Sequence, residues 1–124
     1  IKPSQSMEEM KYDMCGGAAV IGTMLALAKL KANVNAIGIV PSTENMPGPD
    51  AFKPGDIYYA RNGKSVEVFN TDAEGRLILG EALVYASEQK PAAIFDAATL
   101  TGAILIALGN THTGVFTRDN KLMK

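Results

Sequence analysis

Histidine and cysteine are almost missing from this 124-residue chain, each occurring once. A lone His112 excludes a His-rich zinc site and the HExxH pattern of zinc peptidases within this segment, and it reads as a strand-edge or surface residue. A lone Cys15 excludes an intrachain disulfide, which fits a reducing compartment. Its place between Met14 and Gly16, at the edge of an apolar run, reads as a packed, inert thiol rather than a nucleophile. No G-x-S-x-G elbow occurs, so a serine triad has little support. The Gly16-Gly17 pair lacks the further glycine of a dinucleotide fingerprint, and no Walker lysine follows any glycine run. A formal net charge of −1 gives no electrostatic reason to expect nucleic acid or an anionic membrane as partner. The longest apolar stretch, around Ala18 to Ala28, is too short and too glycine-bounded to span a bilayer. The opening Ile1-Lys2-Pro3 and the polar stretch after it do not read as a secretory leader, so a cytoplasmic location is expected.

What is present is an ordinary globular composition, 47% hydrophobic and 20% charged. From Gly17 to Lys31 the chain is rich in Ala, Leu and Met without proline, which predicts a mostly buried helix. Val34 to Val40 is a β-branched run stopped by Pro41, a candidate strand. Ser42 to Asp56, rich in proline, glycine, Asn and Asp, predicts a long surface loop, and loops of that length are usually functional. Ile57 to Ala60 and Ser65 to Phe69 flank Asn62-Gly63, a strong hairpin signal. Leu77 to Glu88 predicts a helix that Pro91 prevents from continuing, Ala92 to Ala97 a strand, Thr99 to Leu108 a helix and Thr113 to Thr117 a final strand. This alternation predicts an α/β fold, a three-layer α/β/α arrangement around a central mixed, largely parallel sheet. Ligands of such sheets bind beyond the carboxyl ends of strands, where both Asn70 and Thr99 fall.

With histidine and cysteine set aside, carboxylates remain. Asn70-Thr71-Asp72-Ala73-Glu74-Gly75-Arg76 puts two carboxylates and a guanidinium on alternate residues. If the stretch is extended, Asp72, Glu74 and Arg76 face one point, giving hard oxygen ligands and a fixed cation, the needs of a divalent-metal hydrolase. The same residues also fit a Thr71-x-x-Glu74 capping box opening the next helix. Likewise Asp13 can be read as a helix cap, Thr99 and Thr101 as helix-start residues, and Lys2 as a solvated lysine.

The whole heptapeptide resembles the signature of the leucyl aminopeptidase family, the cytosolic dinuclear-metal peptidases. The resemblance extends to Lys2-Pro3, Met10-Lys11-Tyr12-Asp13-Met14-Cys15-Gly16, Glu44-Asn45-Met46-Pro47, Pro54-Gly55-Asp56 and Ala98-Thr99-Leu100-Thr101-Gly102-Ala103, in the family's order. It implies that Glu74 bridges two divalent ions, Mn²⁺ or Zn²⁺ with Mg²⁺ as a further candidate, that Asp72 ligates one and that Asp13 ligates the other. It further implies that Lys2 polarises the scissile carbonyl and that Arg76 holds bicarbonate as general base. Met10, Thr99, Leu100 and Gly102 would contact the substrate, a peptide with a Leu-like first residue. By the same resemblance, residues 1–124 are the middle of a C-terminal catalytic domain, the intact protein is a homohexamer, and a further Lys and Asp ligand precede Lys2. Gly48-Pro49-Asp50 departs from the family's looser Ser/Gly pattern and leaves the catalytic positions untouched. Two rivals stand beside the enzyme. One is a regulatory, DNA-binding protein on the same fold, which has no physical reason to keep Lys2, Asp13, Asp72, Glu74 and Arg76 together. The other is an inactive fragment.

Overall fold

The computed structural model describes residues 7–121 and 123. A 3₁₀ turn, Met7–Tyr12, leads through Asp13 into the first helix, α1, Cys15–Lys29. A long irregular stretch follows, then a hairpin of β1, Ile57–Tyr59, and β2, Ser65–Glu67. A second 3₁₀ turn, Thr71–Ala73, runs into α2, Glu74–Glu88, and a short helix α3, Ala103–Leu108, closes the order.

The hairpin forms where Asn62-Gly63 predicts it. Tyr59 pairs with Ser65 and Ile57 with Glu67, antiparallel. The Ala60 N–H donates to the Lys64 carbonyl at 2.8 Å and Gly63 N–H returns to Ala60 at 2.7 Å, leaving a three-residue loop. Gly63 takes φ +79°, the left-handed residue that such a loop needs. Two more bonds, Gly55 N–H to Val68 and Val68 N–H to Asp56, extend the ladder past β2 and place Val68, 2% exposed, as the one buried residue among those described. The Arg61 guanidinium then clamps the hairpin to α2. It forms a fork with the Glu88 carboxylate at 2.9–3.0 Å, and the Arg61 N–H reaches Glu81 at 3.0 Å. It also stands 5.3 Å from the centre of the Tyr85 ring.

The expected helix at Gly17–Lys31 is present two residues earlier, as α1. Val20, Met24 and Leu27 make its half-covered face, and the backbone of 38–40 runs along it. A Cβ on Gly38 would come within 2.7 Å of Met24 Cγ, so the strip fits because that residue is glycine. The expectation of a mostly buried helix does not hold. Ile21 and Leu25 stay 61% and 55% exposed, because no described element packs on that side.

The expected helix at Leu77–Glu88 starts three residues earlier, inside the heptapeptide, and the one at Thr99–Leu108 is reduced to α3. Thr101 rather than Thr99 opens α3, its hydroxyl accepting the Ala103 N–H at 3.3 Å, and Gly109 at φ +70° ends it. Segments 34–40, 92–97 and 113–117, predicted as strands, carry no ladder among the described residues, so the sheet there is two-stranded and antiparallel. Among the described residues no helix is long and apolar enough to cross a membrane.

Candidate active site

Asp13 lies in the joint between the first 3₁₀ turn and α1, its N–H donating to the Met10 carbonyl at 2.9 Å. The α1 N-cap is Met14, with no side-chain cap, so Asp13 is not spent on capping. Instead its Oδ1 accepts the Thr99 hydroxyl at 2.5 Å, across 86 residues of sequence, the short distance of a hydroxyl on a carboxylate. Thr99 can reach it because the chain at 97–98 passes under the first turn of α1. A Cβ on Gly16 would collide with the Ala97 carbonyl.

The heptapeptide is helical, not extended, so alternation by twos does not align its charges. The Asn70 side chain accepts the Asp72 N–H at 2.9 Å and starts the 3₁₀ turn, and α2 continues from Glu74. Asp72, in the 3₁₀ turn, and Arg76, in the first turn of α2, line the same cavity. Glu74 is held by a partner from outside its own helix. Its Oε2 accepts the Asn45 side-chain amide at 2.8 Å, and the same amide donates to the Thr71 carbonyl at 2.8 Å.

These pieces enclose a cavity of about 520 Å³. Asp13 and Met10 line it from the first turn, Asp72, Glu74 and Arg76 from the start of α2, and Thr99, Leu100 and Gly102 from the approach to α3. Every candidate site residue within the described range therefore meets one cavity; Lys2 lies outside the described residues. Glu9, Tyr12, Asn70, Ala73 and Thr101 also line it; the motifs contain all of these but Glu9, and the sequence assigned none of them a role in the site. Asn45 was missed too. It lies in the Glu44-Asn45-Met46-Pro47 block that carries part of the family resemblance, and in a loop long enough to be functional, but neither signal named it as a site residue.

Four carboxylates thus share the cavity with one guanidinium. Carboxylate oxygens are the donors that hard divalent ions take, so the set fits such ions in kind. Among the described residues, however, no three His, Cys, Asp or Glu side chains are grouped closely enough to hold an ion by themselves. Any ion seated here would need ligands from beyond them.

An oxygen-donor cavity with one guanidinium among its described lining residues, set at the start of a helix, is the kind of site a metallohydrolase uses. Comparison with known proteins gives the family: residues 1–124 match the cytosol aminopeptidase family, catalytic domain, and the chain belongs to that family. It is 69% identical over 122 residues to a probable cytosol aminopeptidase of Bdellovibrio bacteriovorus and 56% identical to one of Burkholderia ambifaria, covering 98% of this chain in each case. It spans about a quarter of the length of these relatives, 24% of each. Among solved structures it resembles a mutant of tomato leucine aminopeptidase, with a TM-score of 0.73 and 49% identity, over 84% of this chain and 21% of that one.

Proposed function

We propose that this chain is part of the catalytic domain of a metal-dependent aminopeptidase that releases N-terminal residues, Leu-like ones preferred, from peptides. The carrying observation is that Asp13, Asp72, Glu74 and Arg76, from separate parts of the sequence, line one cavity with Met10, Thr99, Leu100 and Gly102. Asp13, Asp72 and Glu74 would hold two divalent ions, Mn²⁺ or Zn²⁺ with Mg²⁺ as a further candidate, completed by a Lys and an Asp from the rest of the catalytic domain. When bound, the ions supply a water acidic enough to attack at neutral pH. Lys2 polarises the scissile carbonyl and stabilises the oxyanion that develops on it. Arg76 offers its planar donor fork to bicarbonate, the general base. Met10, Thr99, Leu100 and Gly102 receive the first residue, where each methylene is worth only about 1–3 kcal/mol of discrimination.

In the complete protein, segments 34–40, 92–97 and 113–117 join a largely parallel sheet between helical layers, and six subunits assemble in the cytoplasm. A DNA-binding role is not favoured, since it gives no physical reason for Asp13, Asp72, Glu74 and Arg76 to meet in one cavity. The test is hydrolysis of Leu-p-nitroanilide by the complete protein with and without Mn²⁺, beside Glu74→Gln. Wild-type hydrolysis should depend on metal, and Glu74→Gln should lose it together with most binding of the second ion, because a neutral amide removes charge at both. Wild-type turnover with two ions retained in Glu74→Gln would sink the assignment.

A further inference from the structure

Glu74 opens α2, and the group that holds its carboxylate comes from a distant loop. Asn45 stands 29 residues earlier in the Ser42–Asp56 stretch, with φ 50° and its side chain half-buried. Its single NH₂ group spends both hydrogens locally: one on the Thr71 carbonyl and one on Glu74 Oε2, each at 2.8 Å. The first bond fixes the 3₁₀ turn that presents Asp72, and the second fixes the rotamer of Glu74. Among the described residues Glu74 Oε1 has no donor, so one carboxylate oxygen is oriented and the other is left open.

The choice of an amide is chemically informative. A Lys or Arg in the same place would orient Glu74 more strongly and would also neutralise it, weakening it as a ligand for a cation. An Asp or Glu would repel it. An Asn supplies donors without charge, and it also tolerates the left-handed backbone that aims the side chain inward.

We propose that Asn45 is the positioning residue of the site: its amide locks Glu74 and the Thr71–Ala73 turn in the geometry that receives the metal, without drawing off the carboxylate's charge. The proposal rests on the metal reading given above. Groups that orient a ligand in this way typically change metal affinity by about 10- to 100-fold.

Two variants of the complete protein separate the side chain from the backbone. Asn45→Gly keeps access to the positive φ and removes the amide. Asn45→Asp keeps shape and backbone tolerance but turns donors into charged acceptors. Mn²⁺ titrated into metal-free protein by calorimetry should bind about 10- to 100-fold more weakly in Asn45→Gly and more weakly still in Asn45→Asp. The melting temperature of the metal-free protein should stay close to wild type, and kcat should fall with KM little changed. Wild-type Mn²⁺ affinity in both variants overturns the proposal, as does an affinity loss matched by an equal loss of metal-free stability. If Asn45→Gly does not fold, Asn45→Asp decides, and failure of both to fold assigns Asn45 to folding instead and overturns it. Glu74→Gln, run alongside, separates the two levels. If it keeps Mn²⁺, the metal reading falls and the Asn45 assignment with it. If it loses Mn²⁺ while both Asn45 variants keep it, only the Asn45 assignment falls.

Discussion

Arg76 is exposed at the mouth of an otherwise acidic cavity, one helical turn after Asp72. A guanidinium there has an obvious electrostatic use, to hold an anion beside groups that would otherwise repel it, and no use as a metal ligand. Arg76→Ala should therefore leave the metal content unchanged while lowering turnover about 100-fold, at the low end of what a general base contributes. Added bicarbonate should stimulate the wild type and do little for the variant. An unchanged bicarbonate response in Arg76→Ala would remove that role from it. At this scale the heptapeptide and the Asp13 motif pointed to charged groups that the structure brings to one cavity, Asp13, Asp72, Glu74 and Arg76. The motifs also contained Asn45 and Asn70 but did not show what either does, because a neutral amide becomes informative only once its partners are known. Asn70 binds its own turn at 2.9 Å, and Asn45 reaches across to Thr71 and Glu74.

Among the elements, those fixed by local interactions were legible and those that need distant partners were not. Asn62-Gly63 sets its hairpin through bonds within a few residues, and α1 and α2 follow from runs without proline. Segments 34–40 and 92–97 have strand composition, but a strand exists only through a neighbour's backbone, and none of the described residues supplies one. The path of 97–98 under α1 was equally hidden, although Gly16 is its mark. Helix propensity alone would make Gly16→Ala stabilising, by roughly 0.5–1 kcal/mol in a helix interior. The structure reverses that sign. The added Cβ meets the Ala97 backbone, which cannot rotate away as a side chain would, and strain of this kind costs about 1–3 kcal/mol. Gly16→Ala should thus lower the melting temperature of the complete protein. It should also weaken metal binding at the proposed site, because displacing 97–98 moves Thr99 away from Asp13. A melting temperature at or above wild type would show that the close passage is not maintained.

For the whole molecule, surface area decides. A self-contained folded protein of 13.1 kDa should expose about 6,400 Å² by the usual scaling with mass, whereas this chain exposes 10343 Å². The excess includes Phe69, Phe95, Ile106 and Phe116, each more than three-quarters exposed. Surface of that kind on a soluble protein marks a face that other chain covers, or else a liability to aggregate. The donor set agrees, since among the described residues no three carboxylates are grouped closely enough to hold an ion by themselves. Residues 1–124 alone should therefore neither bind two ions tightly nor cleave peptides, and should scatter light increasingly with concentration. The complete protein should do the first two and not the third. Mn²⁺ or Zn²⁺ titrated into both, with Leu-p-nitroanilide hydrolysis followed in parallel, makes the comparison directly. Two tight sites, or measurable aminopeptidase activity, in the isolated segment would mean that Asp13, Asp72 and Glu74 suffice as ligands, and that the metal centre does not depend on the rest of the catalytic domain.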